Sequence, residues 1–175
     1  MLVVGMTGVR LGERVAQIGC AHGGRLAAIA KKVGLSGRAV AIVPDEASAA
    51  RARKGAAQAG VLVEIETAPP TRLPADDTAF DLVVVDDTAG LLGSMSTDHR
   101  AGTIREALRL LRPGGRAIVI GSATRGGLGR LLARAPAGPQ FDAAPALQAN
   151  GFKSVRNLAE RDGLVFVEGI KPRQA

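Results

Sequence analysis

The chain has 175 residues, 46% hydrophobic and 22% charged, which excludes wholesale disorder and suits a single domain over 1–175 with a sizeable core. Its one cysteine, Cys20, excludes an internal disulfide and a multi-cysteine metal site, and no run approaches the roughly 18 apolar residues of a membrane span. The formal charge of +7 is scattered and the aromatic complement is four phenylalanines, a poor basis for base-stacking platforms, so neither nucleic acid nor membrane is an expected partner.

Residues 1–6 carry no basic n-region and no long apolar stretch, so no secretory signal is read there and the expected setting is the cytoplasm. Arg14–Ile18 reads as the first strand and ends at a glycine. Leu26, Ile29, Ala30 and Val33 then recur at the spacing of a helix face, with Gly34 where a C-terminal glycine belongs. Residues 39–43 make a second strand, and Asp45 is placed to cap an alanine-rich helix that runs to about Gln58 and stops at Gly60. A third strand is read over 61–67. Pro69, Pro70 and Pro74 forbid a regular helix after it, so a loop is expected.

Residues 80–85 form a continuous apolar run, the pattern of a strand at the buried centre of a sheet. A helix over 98–111 presents Ile104, Ala107, Leu108 and Leu111 on one face, starts at a solvated His99 and Arg100, and is stopped by Arg112-Pro113-Gly114-Gly115. A strand over 116–120 follows. Residues 122–138 are rich in glycine and basic residues, with one short helix expected near 128–135. Residues 152–158 and Leu164–Ile170, joined by Glu160-Arg161-Asp162-Gly163, read as a closing antiparallel hairpin. Alternating strands and helices predict an α/β fold, a three-layer Rossmann-like sandwich with a mostly parallel sheet.

In such sheets ligands bind beyond the carboxyl ends of the strands, where the winding reverses. The first strand ends there in Gly19-Cys20-Ala21-His22-Gly23-Gly24 and opens directly into a helix, whose first N–H groups are free to meet a ligand. Three segments occur in order: 15–23 (VAQIGCAHG), 73–84 (LPADDTAFDLVV) and 106–116 (EALRLLRPGGR). From about Leu11 to Lys171 the chain resembles class I methyltransferases that use S-adenosylmethionine, in particular the ubiquinone/menaquinone-biosynthesis and type 11 group. The resemblance implies a seven-stranded sheet of order 3-2-1-4-5-7-6 with strand 7 antiparallel, and a methyl transfer from S-adenosylmethionine to an unidentified acceptor. It places the cofactor against Gln17, Gly19, Cys20, Ala21, His22, Gly23, Val43, Asp45 and Asp86. It assigns no catalytic residue and no metal.

The sequence departs from the family's pattern at three acidic positions. Gln17 stands where an acid precedes the glycine turn, Val43 where an acid receives the ribose hydroxyls, and Pro69 where an aspartate reads the adenine; Ala21 replaces a central glycine. Loss of a charged acceptor at Val43 costs about 1.5–3 kcal/mol of donor binding. Asp45 is open to two roles, ribose contact or helix cap, and Asp76 or Asp77 to adenine contact or a solvated turn. The implied cofactor site is therefore weak, rearranged or lost, and Val43→Asp is expected to restore affinity. His22 is read as structural or as a contact to the cofactor carboxylate, Cys20 as packing, and one of Asp86 and Asp87 as reaching the site. The family's lid helices before the first strand are absent from the dozen residues that precede it here, so a homo-oligomer or a partner chain is a candidate to close the acceptor site. The competing readings are a non-catalytic relative that serves as an interaction or assembly subunit, and, with least support, a nicotinamide-dependent oxidoreductase.

Overall fold

The computed structural model describes residues 2–123 and 141–173. In chain order the elements are α1 (Leu2–Thr7), β1 (Arg14–Ile18), α2 (Gly23–Val33), β2 (Arg38–Val43), α3 (Glu46–Ala59), β3 (Glu64–Thr67), β4 (Phe80–Asp86), α4 (Thr97–Leu110), β5 (Leu111–Ser122), α5 (Ala143–Ala149), β6 (Lys153–Arg161) and β7 (Leu164–Ile170). The sheet has seven strands in the order β3-β2-β1-β4-β5-β7-β6, as the resemblance implied. Strands β1 to β5 pair in parallel, and β7 lies antiparallel between β5 and β6.

Both faces of the central strands are buried, so their apolar runs are continuous and successive residues sort to opposite sides. Val15, Leu82, Val84, Ile118 and Ile120 pack beneath Val3 of α1 and Ile29 and Val33 of α2. Their neighbours Ala16, Ile18, Val83, Val85 and Val119 pack against Ile104, Ala107 and Leu110 of α4 and Leu147 of α5. A smaller cluster joins Ala41 and Val43 of β2 to Cys20, Leu26 of α2, and Ala49 and Ala52 of α3.

The helix ends follow local chemistry. Asp45 caps α3 by accepting from the Ser48 N–H at 2.7 Å, and Ser96 caps α4 through the His99 N–H at 3.3 Å. Gly60 ends α3 in the left-handed region, and the Val61 N–H bonds back to the Ala56 carbonyl at 3.1 Å. That cap keeps the chain from extending at once, so β3 starts at Glu64 rather than 61. Likewise the Arg112–Gly115 turn is a bulge inside β5: Phe80 pairs with Leu111 and Leu82 with Arg116, so the extra residues loop out while pairing resumes. Arg100 is not merely solvated, for its guanidinium lies 4.6 Å over the Phe141 ring and donates to the Leu92 and Met95 carbonyls. Helices α1 and α5 were not read from the sequence, being only six and seven residues long. The helix expected near 128–135 falls outside the described residues.

Helices α2 and α3 cross at two glycines. A Cβ on Gly23 would overlap the Arg51 carbonyl, and one on Gly55 would overlap the Gly23 backbone. Gly23 therefore serves helix–helix approach. Alanine is the better helix former by about 1 kcal/mol, yet the overlap costs about 1–3 kcal/mol and adds strain that backbone cannot easily relieve. Gly55→Ala is expected to lower the urea midpoint of unfolding; an unchanged or raised midpoint would show that the helices can separate freely.

Candidate functional site

Beyond the carboxyl end of β1 the chain turns through residues 19–22 into α2. Gly19 takes φ +78° and its N–H binds the Ile42 carbonyl of β2 at 2.9 Å. That positive φ favours glycine, and a Cβ there would stand 3.3 Å from the Asp86 carbonyl and would displace the tip of Leu91. Three side chains then hold the turn from three directions. Gln17, buried in β1, donates from Nε2 to the Gly19 carbonyl at 3.0 Å, while its Oε1 has no partner among the described residues. Arg51 of α3 donates from Nε to the Cys20 carbonyl at 2.9 Å and from Nη2 to Ser48 Oγ at 2.7 Å.

The third is Asp86 at the end of β4, whose side chain is 1% exposed. Its Oδ2 accepts the Ala21 N–H at 3.0 Å, and its Oδ1 accepts the Thr88 hydroxyl at 2.6 Å. Arg25, in the first turn of α2, pairs with the same carboxylate at 3.2 Å and also meets the Thr88 hydroxyl. Burial of this charge is tolerable because it is paired and multiply hydrogen-bonded.

The remaining residues divide between inward and outward roles. Val43 is 0% exposed and packs in the apolar cluster with Cys20 and Leu26. Burial, reinforced by Asp86, pushes the Cys20 thiol up to about 11, so it packs rather than reacts. His22 caps α2, its Nδ1 accepting the Gly24 N–H at 3.2 Å, which leaves Nε2 as the outward N–H donor of the neutral ring. Asp45 is exposed at the end of β2; its bond to Ser48 holds its carboxyl below the usual carboxylate range. Asp87 turns away from Asp86 and holds the following loop, its Oδ1 accepting the Leu92 N–H at 2.5 Å; burial pushes its carboxyl up.

Asp77, a sequence-level candidate for adenine, pairs with Arg109 of α4 at 2.7 Å, next to the Thr78 N–H that binds the Arg109 carbonyl just before β4 begins. That is the amino edge of the sheet, the opposite end from the glycine turn. Pro69 is exposed in the loop after β3. At the carboxyl edge an open cleft of about 230 Å³ lies between α1, α2 and the start of β7, lined by Val3, His22, Gly24, Arg25, Ala28 and Leu164. Arg25, Arg51 and Thr88 were not singled out from the sequence: Arg25 and Arg51 reach Asp86 and the Cys20 carbonyl in other elements, whereas Thr88 bonds Asp86 only two residues away, a local signal that went unread.

Comparison with known proteins agrees with this geometry. Residues 15–115 match the family model described as a methyltransferase domain. The chain is 32% identical over 117 residues to the ubiquinone/menaquinone biosynthesis C-methyltransferase UbiE of Pseudomonas putida, covering 66% of this chain and 44% of that protein. It is 29% identical over 174 residues to the 27-O-demethylrifamycin SV methyltransferase of Amycolatopsis mediterranei, covering 99% of this chain and 59% of that one. The chain thus spans about half the length of these relatives. A crystal structure of a SAM-dependent methyltransferase from Aquifex aeolicus shares the fold, with a TM-score of 0.77 at 19% identity over 96% of this chain and 87% of that one.

Two outcomes test the described geometry. Removing the carboxylate by Asp86→Ala takes the counter-charge from the half-buried Arg25 and the acceptor from the Ala21 N–H, and is expected to cost about 1–3 kcal/mol in chemical denaturation. A loss below about 1 kcal/mol, the range of an exposed pair, would mean the pair is solvated. With its acid constant near 11, the native Cys20 thiol is expected to resist a disulfide reagent at pH 8 and to react at once in denaturant. Fast labelling of the folded chain would refute its burial.

Proposed function

Since the chain belongs to the methyltransferase-domain family, we propose that it transfers the methyl group of S-adenosylmethionine to a carbon or oxygen nucleophile of a small-molecule acceptor. The observation that carries this reading is the placement of the Gly19–His22 turn, at the carboxyl edge of a sheet ordered β3-β2-β1-β4-β5-β7-β6, with its backbone held by Gln17, Arg51 and Asp86. Such a turn offers a preorganised surface at the start of a helix, where anionic groups are favoured.

The residues present fit the donor through backbone and neutral groups more than through acids. Asp86 spends its bonds on the chain itself, Gln17 does so through Nε2 while its buried Oε1 has no partner among the described residues, and Val43 has no polar side-chain atom. Asp45, exposed at the end of β2, is the acidic group left to receive the ribose hydroxyls while it keeps its cap on α3. The Nε2–H of His22 faces outward, suited to the donor carboxylate or to an oxygen of the acceptor. When bound, the donor supplies an already activated sulfonium methyl, so the chain's part is to align the two molecules and exclude water. The mostly apolar cleft beside His22 and Arg25 supports an acceptor seat next to the turn. The same self-satisfied acids favour a second reading, a relative that keeps the fold without the transfer.

Calorimetric titration with S-adenosylmethionine and S-adenosylhomocysteine separates the two. Micromolar binding is expected, and Asp45→Ser, which keeps a capping oxygen, is expected to weaken it about tenfold by replacing a charged acceptor with a neutral one. No heat at millimolar ligand would leave the non-catalytic relative. Val43→Asp, which from the sequence alone promises rescue, is expected instead to destabilise the chain by about 2 kcal/mol or more, because its carboxylate would enter the Cys20–Leu26 cluster. A rise in affinity without loss of stability would instead show that position 43 reaches the ligand.

A further inference from the structure

Opposite the glycine turn, three loops of the amino edge each hold a leucine in solvent. Leu11 precedes β1, Leu35 lies between α2 and β2, and Leu62 between α3 and β3, at 71%, 89% and 79% exposure. The three strands they lead into are neighbours in the sheet. Leu11 Cδ1 lies 2.7 Å from where a Cβ on Gly34 would stand, so Leu11 rests beside the Leu35 loop. The Gly12 N–H donating to Val33 at 2.9 Å and the Arg38 N–H donating to Glu13 at 3.1 Å join the first two loops. The β2–β3 register, Val40 opposite Glu64, brings Leu62 level with Arg38 at the same edge. Arg10, Arg14, Lys31 and Lys32 stand within four residues of these leucines, all exposed and with no ion pair among the described residues. Of the carboxylates nearby, Glu13 is paired with Arg116, Glu64 with Arg38 and Asp81 with Arg112, while the exposed Asp76 has no ion pair among the described residues and acts on Arg38, which leaves cations in excess at this edge.

We propose that this amino edge is a peripheral docking face for an anionic bilayer surface, with the leucines entering the headgroup boundary and the four cations meeting lipid phosphates. Leucines on separate loop tips suit a deformable apolar medium better than a shaped pocket, and the positive charge of the edge opposes pairing with a second copy. Docking of this kind needs no spanning helix, and none of the described helices is long and apolar enough to span. The attraction is electrostatic and interfacial, so it is reversible and weakened by salt. It would hold the glycine turn away from the lipid by about the length of a strand, roughly 17 Å for five residues, facing the water.

Co-sedimentation of the full chain with vesicles tests this, independently of any cofactor. The probes are phosphatidylcholine alone and a three-to-one mixture with phosphatidylglycerol, at low and high salt. Binding is expected to the mixture only and to fall with salt. Leu11→Ser with Leu35→Ser, and separately Lys31→Glu with Lys32→Glu, are each expected to reduce partition about tenfold, with circular dichroism confirming that both variants fold. Arg161→Glu, on the β6 edge, is expected to leave partition unchanged. Absence of anionic preference would overturn the proposal, as would full binding by the leucine pair variant or an equal loss from Arg161→Glu, either of which marks general attraction by a basic protein. A concentration-dependent dimer abolished by the leucine changes would overturn it in favour of a second copy.

Discussion

A single buried carboxylate organises the carboxyl edge of this protein. Asp86 sits at the end of β4, and through it the first turn after β1, the first turn of α2 and the loop after β4 share one anchor. A charge removed from water is costly unless its lone pairs are filled, and Ala21, Arg25 and Thr88 fill them. The turn is thereby held to the sheet by a group that cannot leave without stranding Arg25. Gly19 adds the converse constraint, since its φ of +78° is a backbone conformation that favours glycine. The loop after β4 is held further along by Asp87 and from α4 by Arg100, so both aspartates hold that loop and Asp86 alone also reaches the turn after β1.

Much of the architecture was legible because it is written locally. Residues 80–85 and the apolar stretch of β2 announce themselves as buried strands, and the caps at Asp45 and Gly60 depend on groups within a few residues. The resemblance supplied the strand order, which periodicity alone does not contain. What could not be read is long-range. The partners of Asp86 lie 61 and 65 residues away, and nothing around Arg25 or Ala21 signals them. Short helices such as α1 and α5 are held by the core beneath them rather than by their own pattern, so no stripe long enough to recognise exists. Asp77 was open to adenine contact or a solvated turn, and the ion pair of its exposed carboxylate with Arg109, 32 residues on, sets it in a turn at the far edge. Gly23 lies in the turn the resemblance assigns to the ligand, and Gly55, in another helix, adds a packing reason for glycine there.

The acidic departures at Gln17 and Val43 also look different once placed in three dimensions. Gln17 remains a bridge to the Gly19 carbonyl, a contact that needs a donor; an acid at that position, ionised, could not make it. Val43 fills an apolar cluster that packs β2 against α2 and α3, so its replacement is a change in packing as much as a lost ligand contact. Such substitutions favour the stability of the edge over charged recognition at it. What is left facing outward is sparse: the rim of Asp45, the Nε2–H of His22, and the cleft beside Arg25. Recognition through so few polar groups has to lean on shape and on backbone, which can orient a ligand but adds little electrostatic selectivity.

Affinity and rate need not fall together under such an arrangement. Groups that bind the donor equally in its ground and transition states strengthen binding without lowering the barrier between them, and a ribose carboxylate is of that kind, remote from the reacting methyl. Methyl transfer from a sulfonium disperses charge rather than creating it, so a fixed acid or base near the reacting atoms is a smaller requirement than alignment. On the proposed function, a turn braced by Asp86, Arg51 and Gln17 serves that alignment through its backbone.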